Sequence, residues 1–129
     1  MASRPREKEL TPGQLKELND MLVTKRDELV QALRERRSGA TTEERAGDEA
    51  DQASEDAEVA LETRLMDRDA KLLREVERAL EKVRNGTYGY CEGTDEPIGY
   101  ARLKIRPWTR HSVTYKEELE REAKRQGGS

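Results

Sequence analysis

Leucines recur with a helical beat early in the chain. Leu15, Leu18, Leu22, Leu29 and Leu33 fall on one face, and Met21 and Val30 widen the stripe. The beat is missed once, at Lys25 and Arg26. Start signals precede it. Thr11 suits an N-cap, Pro12 suits the first helical position, Gln14 completes a T-x-x-Q capping box, and Leu10 and Leu15 are placed as a hydrophobic staple. Ser38-Gly39, after the basic turn of Arg34, Arg36 and Arg37, predicts an end near Arg37.

A second periodic run follows. Val59, Met66, Leu73 and Leu80 stand seven apart, with Val76 and Val83 at the intermediate step and Leu61, Leu65 and Leu72 in a neighbouring row. Asp69 falls in the seam and weakens it. The pattern predicts a helix from about Ser54 to Arg84, closed by Asn85-Gly86. Residues 38–56 hold no large apolar side chain and seven acids against one arginine, which predicts an exposed connection with an acidic tip at 38–54. Helices of ~27 and ~30 residues, each ~40–45 Å long, joined by such a tip predict an antiparallel coiled-coil hairpin over residues 11–85, behind a tail at 1–10.

Past Gly86 the pattern changes. All five aromatic residues (Tyr88, Tyr90, Tyr100, Trp108, Tyr115) lie between 86 and 115, with Ile98, Leu103, Ile105 and Val113 among glycines and prolines. This predicts a small knot of turns and short strands, then a last helix from Tyr115 to about Arg125, together a module over 86–129. The fold class expected is mainly α: a long hairpin, a small globular module and a C-terminal helix.

Composition narrows the function. Charged residues make up 41% and aromatics 4% of the chain. Ala, Glu, Lys, Leu and Arg supply more than half, as in long helices, and a large globular core is excluded. The net charge of −3 argues against duplex DNA as the main partner, because phosphate neutralisation dominates that binding. No apolar run suggests a signal peptide or membrane span, and a lone cysteine rules out an internal disulfide, so a cytoplasmic protein is expected. One His, one Cys and no G-x-S-x-G, phosphate-loop or H-E-x-x-H motif argue against an enzyme.

Gly89-Tyr90-Cys91-Glu92, Pro97-Ile98-Gly99, Arg102-Leu103, Ile105-Arg106-Pro107 and Lys116 together resemble the C-terminal module of the DksA/TraR family. Asp48-x-x-Asp51-x-Ala53 resembles that family's tip motif, in the loop where the motif belongs, and the likeness covers roughly residues 11–126. The resemblance implies a monomeric transcription factor that binds RNA polymerase at the β′ subunit rather than DNA. Its coiled coil would enter the secondary channel, and Asp48, Asp51 and Ala53 would approach the catalytic centre. There it would alter open-complex lifetime at promoters such as those of ribosomal RNA, together with guanosine tetraphosphate (ppGpp). Arg68 matches a polymerase-contacting position, and Leu72, Arg106 and Lys116 match the ppGpp site, where Glu75 replaces a basic residue. A coiled-coil adaptor with another partner is the alternative reading.

The family's module is a four-cysteine zinc finger. Here those positions are Cys91, Thr94, Ser112 and Tyr115, and a structural zinc wants four Cys or His donors. His111, Asp95 and Glu92 are the conceivable replacements. The expectation is a metal-free, degenerate zinc-finger-like module, held by its clustered aromatic and aliphatic residues and by packing on Leu80 and Val83 at the hairpin base, with no cofactor beyond ppGpp as co-regulator.

Overall fold

The computed structural model describes residues 9–42 and 49–127, with side chains described over 9–37 and 52–127. Four helices follow one another: α1 Pro12–Thr42, α2 Glu49–Asn85, α3 Tyr100–Ile105 and α4 Val113–Gly127. Arg36, far along α1, meets Glu62 and Asp69 of α2, while Glu17 near its start meets Tyr100 beyond the end of α2. The two long helices therefore run antiparallel, as a hairpin.

Local chemistry sets the ends. The capping box closes in both directions: the Gln14 N–H donates to Thr11 Oγ1 at 3.1 Å and the Thr11 N–H to Gln14 Oε1 at 3.0 Å. At the end of α2, Gly86 takes φ 77°, and the N–H groups of Gly86 and Thr87 donate to the Val83 and Lys82 carbonyls. This is a Schellman motif, for which glycine is the residue without steric penalty. Ser112 caps α4, its hydroxyl accepting from the Tyr115 N–H at 3.2 Å.

The core sits at the base of the hairpin. Leu18, Leu22, Leu29, Val76, Ala79 and Leu80 are buried there with Tyr88 and Leu103 of the module. Leu18, Leu22, Val76 and Leu103 have no exposed surface, and each such burial stabilises by ~1.5–3 kcal/mol. Further out, Val59 and Leu61 are each 49% exposed, so the distal arm has little core of its own.

Three expectations are corrected. α1 runs past Arg37 to Thr42, and α2 begins at Glu49 rather than near Ser54. Helix thus takes up residues 38–42 and 49–56 of the connection expected over 38–56, and residues 43–48 lie outside the described residues. The absence of large apolar residues over 38–56 correctly foretold exposure of residues 52–54 and 56, but Ala, Glu and Gln are good helix formers and need no apolar stripe to stay helical. In the module, no strand occurs among the described residues. An isolated antiparallel bridge joins Tyr90 to Pro97, and Tyr100–Ile105, whose aromatic and β-branched residues suit a strand, is helical.

Candidate functional site

The tip is formed where α2 begins. Asp51 lies in its first turn and Ala53 just behind it, exposed, whereas Asp48 lies outside the described residues. Arg68 stands on the arm between tip and base, its side chain 71% exposed, with one guanidinium nitrogen 3.6 Å from Asp69.

The seam itself is polar at this level. Arg36 Nη1 donates to Asp69 Oδ2 at 2.6 Å, and Arg36 Nε lies 3.2 Å from Glu62 Oε1. Asp69 is the buried charged residue among those described. Its place in the seam was legible; its partner was not, because an arginine one heptad beyond Leu29 reads as a solvated residue of the last turn.

The module is tied to both helices. The Tyr88 hydroxyl donates to the Pro107 carbonyl at 2.8 Å, and burial raises its pKa, so the phenol stays neutral. The Tyr100 hydroxyl donates to Glu17 on α1 at 2.7 Å, and Leu10 packs on Gly89, which stands at φ 97°. The Glu92 carboxylate pairs with Lys82 of α2 and faces Arg110 Nε at 3.6 Å. Packing on the base was expected through Leu80 and Val83, and Leu10 just before α1 and Glu17 on it share that role. Beside α1, an open groove of about 730 Å³ is lined by Met21, Ile105, Pro107 and Trp108, with Lys25 Nζ 5.9 Å from the Trp108 ring centre.

The four positions that the resemblance matches to zinc ligands make other contacts. Cys91 is fully buried. Burial pushes its thiol up, but hydrogen bonds from the Thr94 hydroxyl, the Ser112 and Gly93 backbone and the Ser112 hydroxyl outweigh it, leaving a pKa of about 7 against an ordinary 9.0. Tyr115 lays its ring on Gly93, where a Cβ would stand 2.1 Å from a ring carbon. His111 packs on that ring, with centroids 5.0 Å apart, and Glu92 is engaged by Lys82 and Arg110. One thiol, two hydroxyls turned to it and a phenyl ring against glycine do not make a tetrahedral site. No group of three or more His, Cys, Asp or Glu suited to a metal occurs among the described residues. These residues do not fit zinc.

The positions matched to the ppGpp site stand on separate parts of the chain: Leu72 half-buried on α2, Arg106 exposed just after α3, and Lys116 exposed on α4. A small cleft nearby is lined by Glu75, Arg78 and Arg110, but not by Leu72, Arg106 or Lys116. Glu75 shares this cleft with Arg78, Lys82 and Arg110; Arg78 stands three residues on along α2, as the spacing indicates, whereas Arg110 is brought there by tertiary packing. No helix among the described residues is long and apolar enough to cross a membrane.

Comparison with known proteins agrees with this architecture. Residues 14–83 match the family described as DnaK suppressor protein DksA, N-terminal domain, and residues 86–121 the prokaryotic dksA/traR C4-type zinc finger. The chain is 41% identical, over 92% of its length and 85% of the relative's, to the RNA polymerase-binding transcription factor DksA of Caulobacter vibrioides. The solved structure of transcription factor DksA2 from Pseudomonas aeruginosa superposes with a TM-score of 0.81 at 33% identity, covering 94% of each chain. The Dks protein of Chlamydia trachomatis shares the fold at a TM-score of 0.55 and 24% identity, over 89% of this chain and 96% of that one. Hairpin, module and both matched segments lead to one conclusion: the chain belongs to the DksA/TraR family.

Proposed function

We propose that this protein is a transcription regulator, not an enzyme, that binds RNA polymerase by inserting its hairpin into the secondary channel. The observation that carries this reading is the two-part build. Helices of 31 and 37 residues, about 46 and 55 Å long, project from a base that holds almost all the core. Such an arm reaches a buried centre while the module stays outside. Relatives named as RNA polymerase-binding factors supply the partner.

In this reading Asp48, Asp51 and Ala53 come near the catalytic centre, where acids meet magnesium and basic nucleotide-binding groups and a small residue permits close approach. Arg68 contacts the polymerase from the shaft, on the β′ side. Leu72, Arg106 and Lys116 form the protein's half of a ppGpp site, with arginine suited to bidentate phosphate contact. Glu75 opposes that anion, and Arg78 and Arg110 beside it offset the charge. The protein acts as a monomer in the cytoplasm and needs no zinc, because Cys91, Thr94, Ser112 and Tyr115 are joined by hydrogen bonds and ring packing instead.

Transcription in vitro from a ribosomal RNA promoter, with protein purified in EDTA, tests the reading. The chelated protein shortens open-complex lifetime severalfold, and ppGpp deepens the effect. Arg106→Ala and Lys116→Ala each weaken the ppGpp increment at least tenfold in concentration, as loss of a charge-assisted contact of ~1.5–3 kcal/mol requires. An unaltered lifetime at saturating wild-type protein overturns the reading. An effect that returns only when zinc is added overturns metal independence.

A further inference from the structure

We propose that Arg36, Asp69 and Glu62 are positioning residues: a polar tie in the hairpin seam that holds the distal arm together and so aims the tip. The inference rests on the reading of the tip as the part that acts, but its structural half stands without it.

All three residues occupy seam positions. Arg36 lies one heptad past Leu29 in the series Leu15, Leu22, Leu29, and Asp69 and Glu62 lie one and two heptads before Val76. Apolar side chains would be expected at each. Instead the Arg36 guanidinium bridges two carboxylates of the facing helix, at 2.6 Å to Asp69 and 3.2 Å to Glu62. The side chains of Arg36 and Asp69 are 23% and 9% exposed, so the pair is shielded from water and salt far better than a surface bridge.

The position of the tie gives it its role. Toward the base, Leu29, Val76 and Leu80 close the seam with apolar contacts. Toward the tip, residues 56–61 are exposed, and Val59 and Leu61 are half open to solvent; Glu62 itself is about half exposed. Apolar side chains accept many lateral arrangements, whereas a planar guanidinium forked between two carboxylates accepts few. The tie is thus a directional link across the distal half of the hairpin, with Asp51 eleven residues, about 16 Å, beyond Glu62. Asp69 also lies 3.6 Å from Arg68, so the proposed polymerase contact shares its carboxylate.

Paired nitroxide labels at Arg34→Cys and Arg64→Cys, exposed positions flanking the tie, test it in a Cys91→Ser background. Pulsed electron–electron resonance reads the distance between them in the free protein. The tied hairpin gives a single narrow distribution. Arg36→Leu/Asp69→Leu, which keeps the seam filled and the hairpin helical, broadens it at least twofold in width, and Asp69→Glu in the otherwise unaltered seam does not. In unlabelled proteins, the double variant competes for polymerase within threefold of wild type yet loses at least fivefold of the effect on open-complex lifetime. An unbroadened distribution overturns the tie, whatever the polymerase assay shows. A broadened distribution with full transcriptional effect overturns its role in aiming the tip. Wild-type protein without any effect on transcription refutes the polymerase reading instead, and the distance distribution then decides the tie alone.

Discussion

Cys91 shows how a single residue is reassigned when its partners change. With Thr94 and Ser112 donating to it, the thiol ionises near 7 rather than 9.0, so the fold favours the thiolate. A depressed folded-state pKa contributes stability fully above the unfolded value and loses it as pH falls through about 7. The stability gap between wild type and Cys91→Ala should therefore widen by about 2 kcal/mol between pH 6 and pH 9, read by urea unfolding. A gap that stays flat would contradict the hydrogen-bonded cluster. Gly93 supplies the complementary case. Its missing side chain is the space that the Tyr115 ring fills. Gly93→Ala should cost ~1–3 kcal/mol by overpacking, and Gly93→Ala in a Tyr115→Ala background should cost far less, because the obstacle is gone. Thermal unfolding of the four proteins measures that coupling. The residue types at Cys91, Thr94, Ser112 and Tyr115 speak against a four-donor zinc site from the sequence onward. The ring-on-glycine contact was not legible there, since it joins residues 22 apart through a turn that spacing does not specify.

Among the elements, the hairpin divides into a base that carries the stability and an arm that carries little. Leu22 has no exposed surface, and Leu22→Ala should destabilise by ~2–5 kcal/mol in urea unfolding. Leu61, equally apolar but 49% exposed on the arm, should cost no more than ~0.5 kcal/mol when cut to alanine. Equal costs at the two sites would mean that the arm packs as the base does. Element ends were legible wherever a cap has a specific chemistry: Thr11 with Gln14, and Asn85 before Gly86, both form as the residue types indicate. They were misread at Ser38-Gly39 and Ser54, where a polar, alanine- and glutamate-rich stretch permits helix and coil alike. Tyr100–Ile105 was missed for a related reason: six residues are too few to show a period, and Gly99 at φ 101° redirects the chain before them.

At the scale of the whole molecule, the order of the parts was readable because each has its own composition: leucine heptads, an acidic stretch, then an aromatic knot. Their mutual placement depends on contacts such as Tyr100 to Glu17 and Glu92 to Lys82, which link residues far apart in sequence. The resulting division of labour, a module and base that bind and an arm that acts at its tip, is the central claim. Its most direct test is Asp51→Asn measured twice: in competition with wild type for RNA polymerase, and in open-complex lifetime at a ribosomal RNA promoter. The substitution removes one charge at the start of α2 and changes no residue of the base, the module or the Arg68 position. The account predicts competition within about threefold of wild type and loss of the effect on lifetime. A variant that competes well and still shortens the lifetime as wild type does would contradict it.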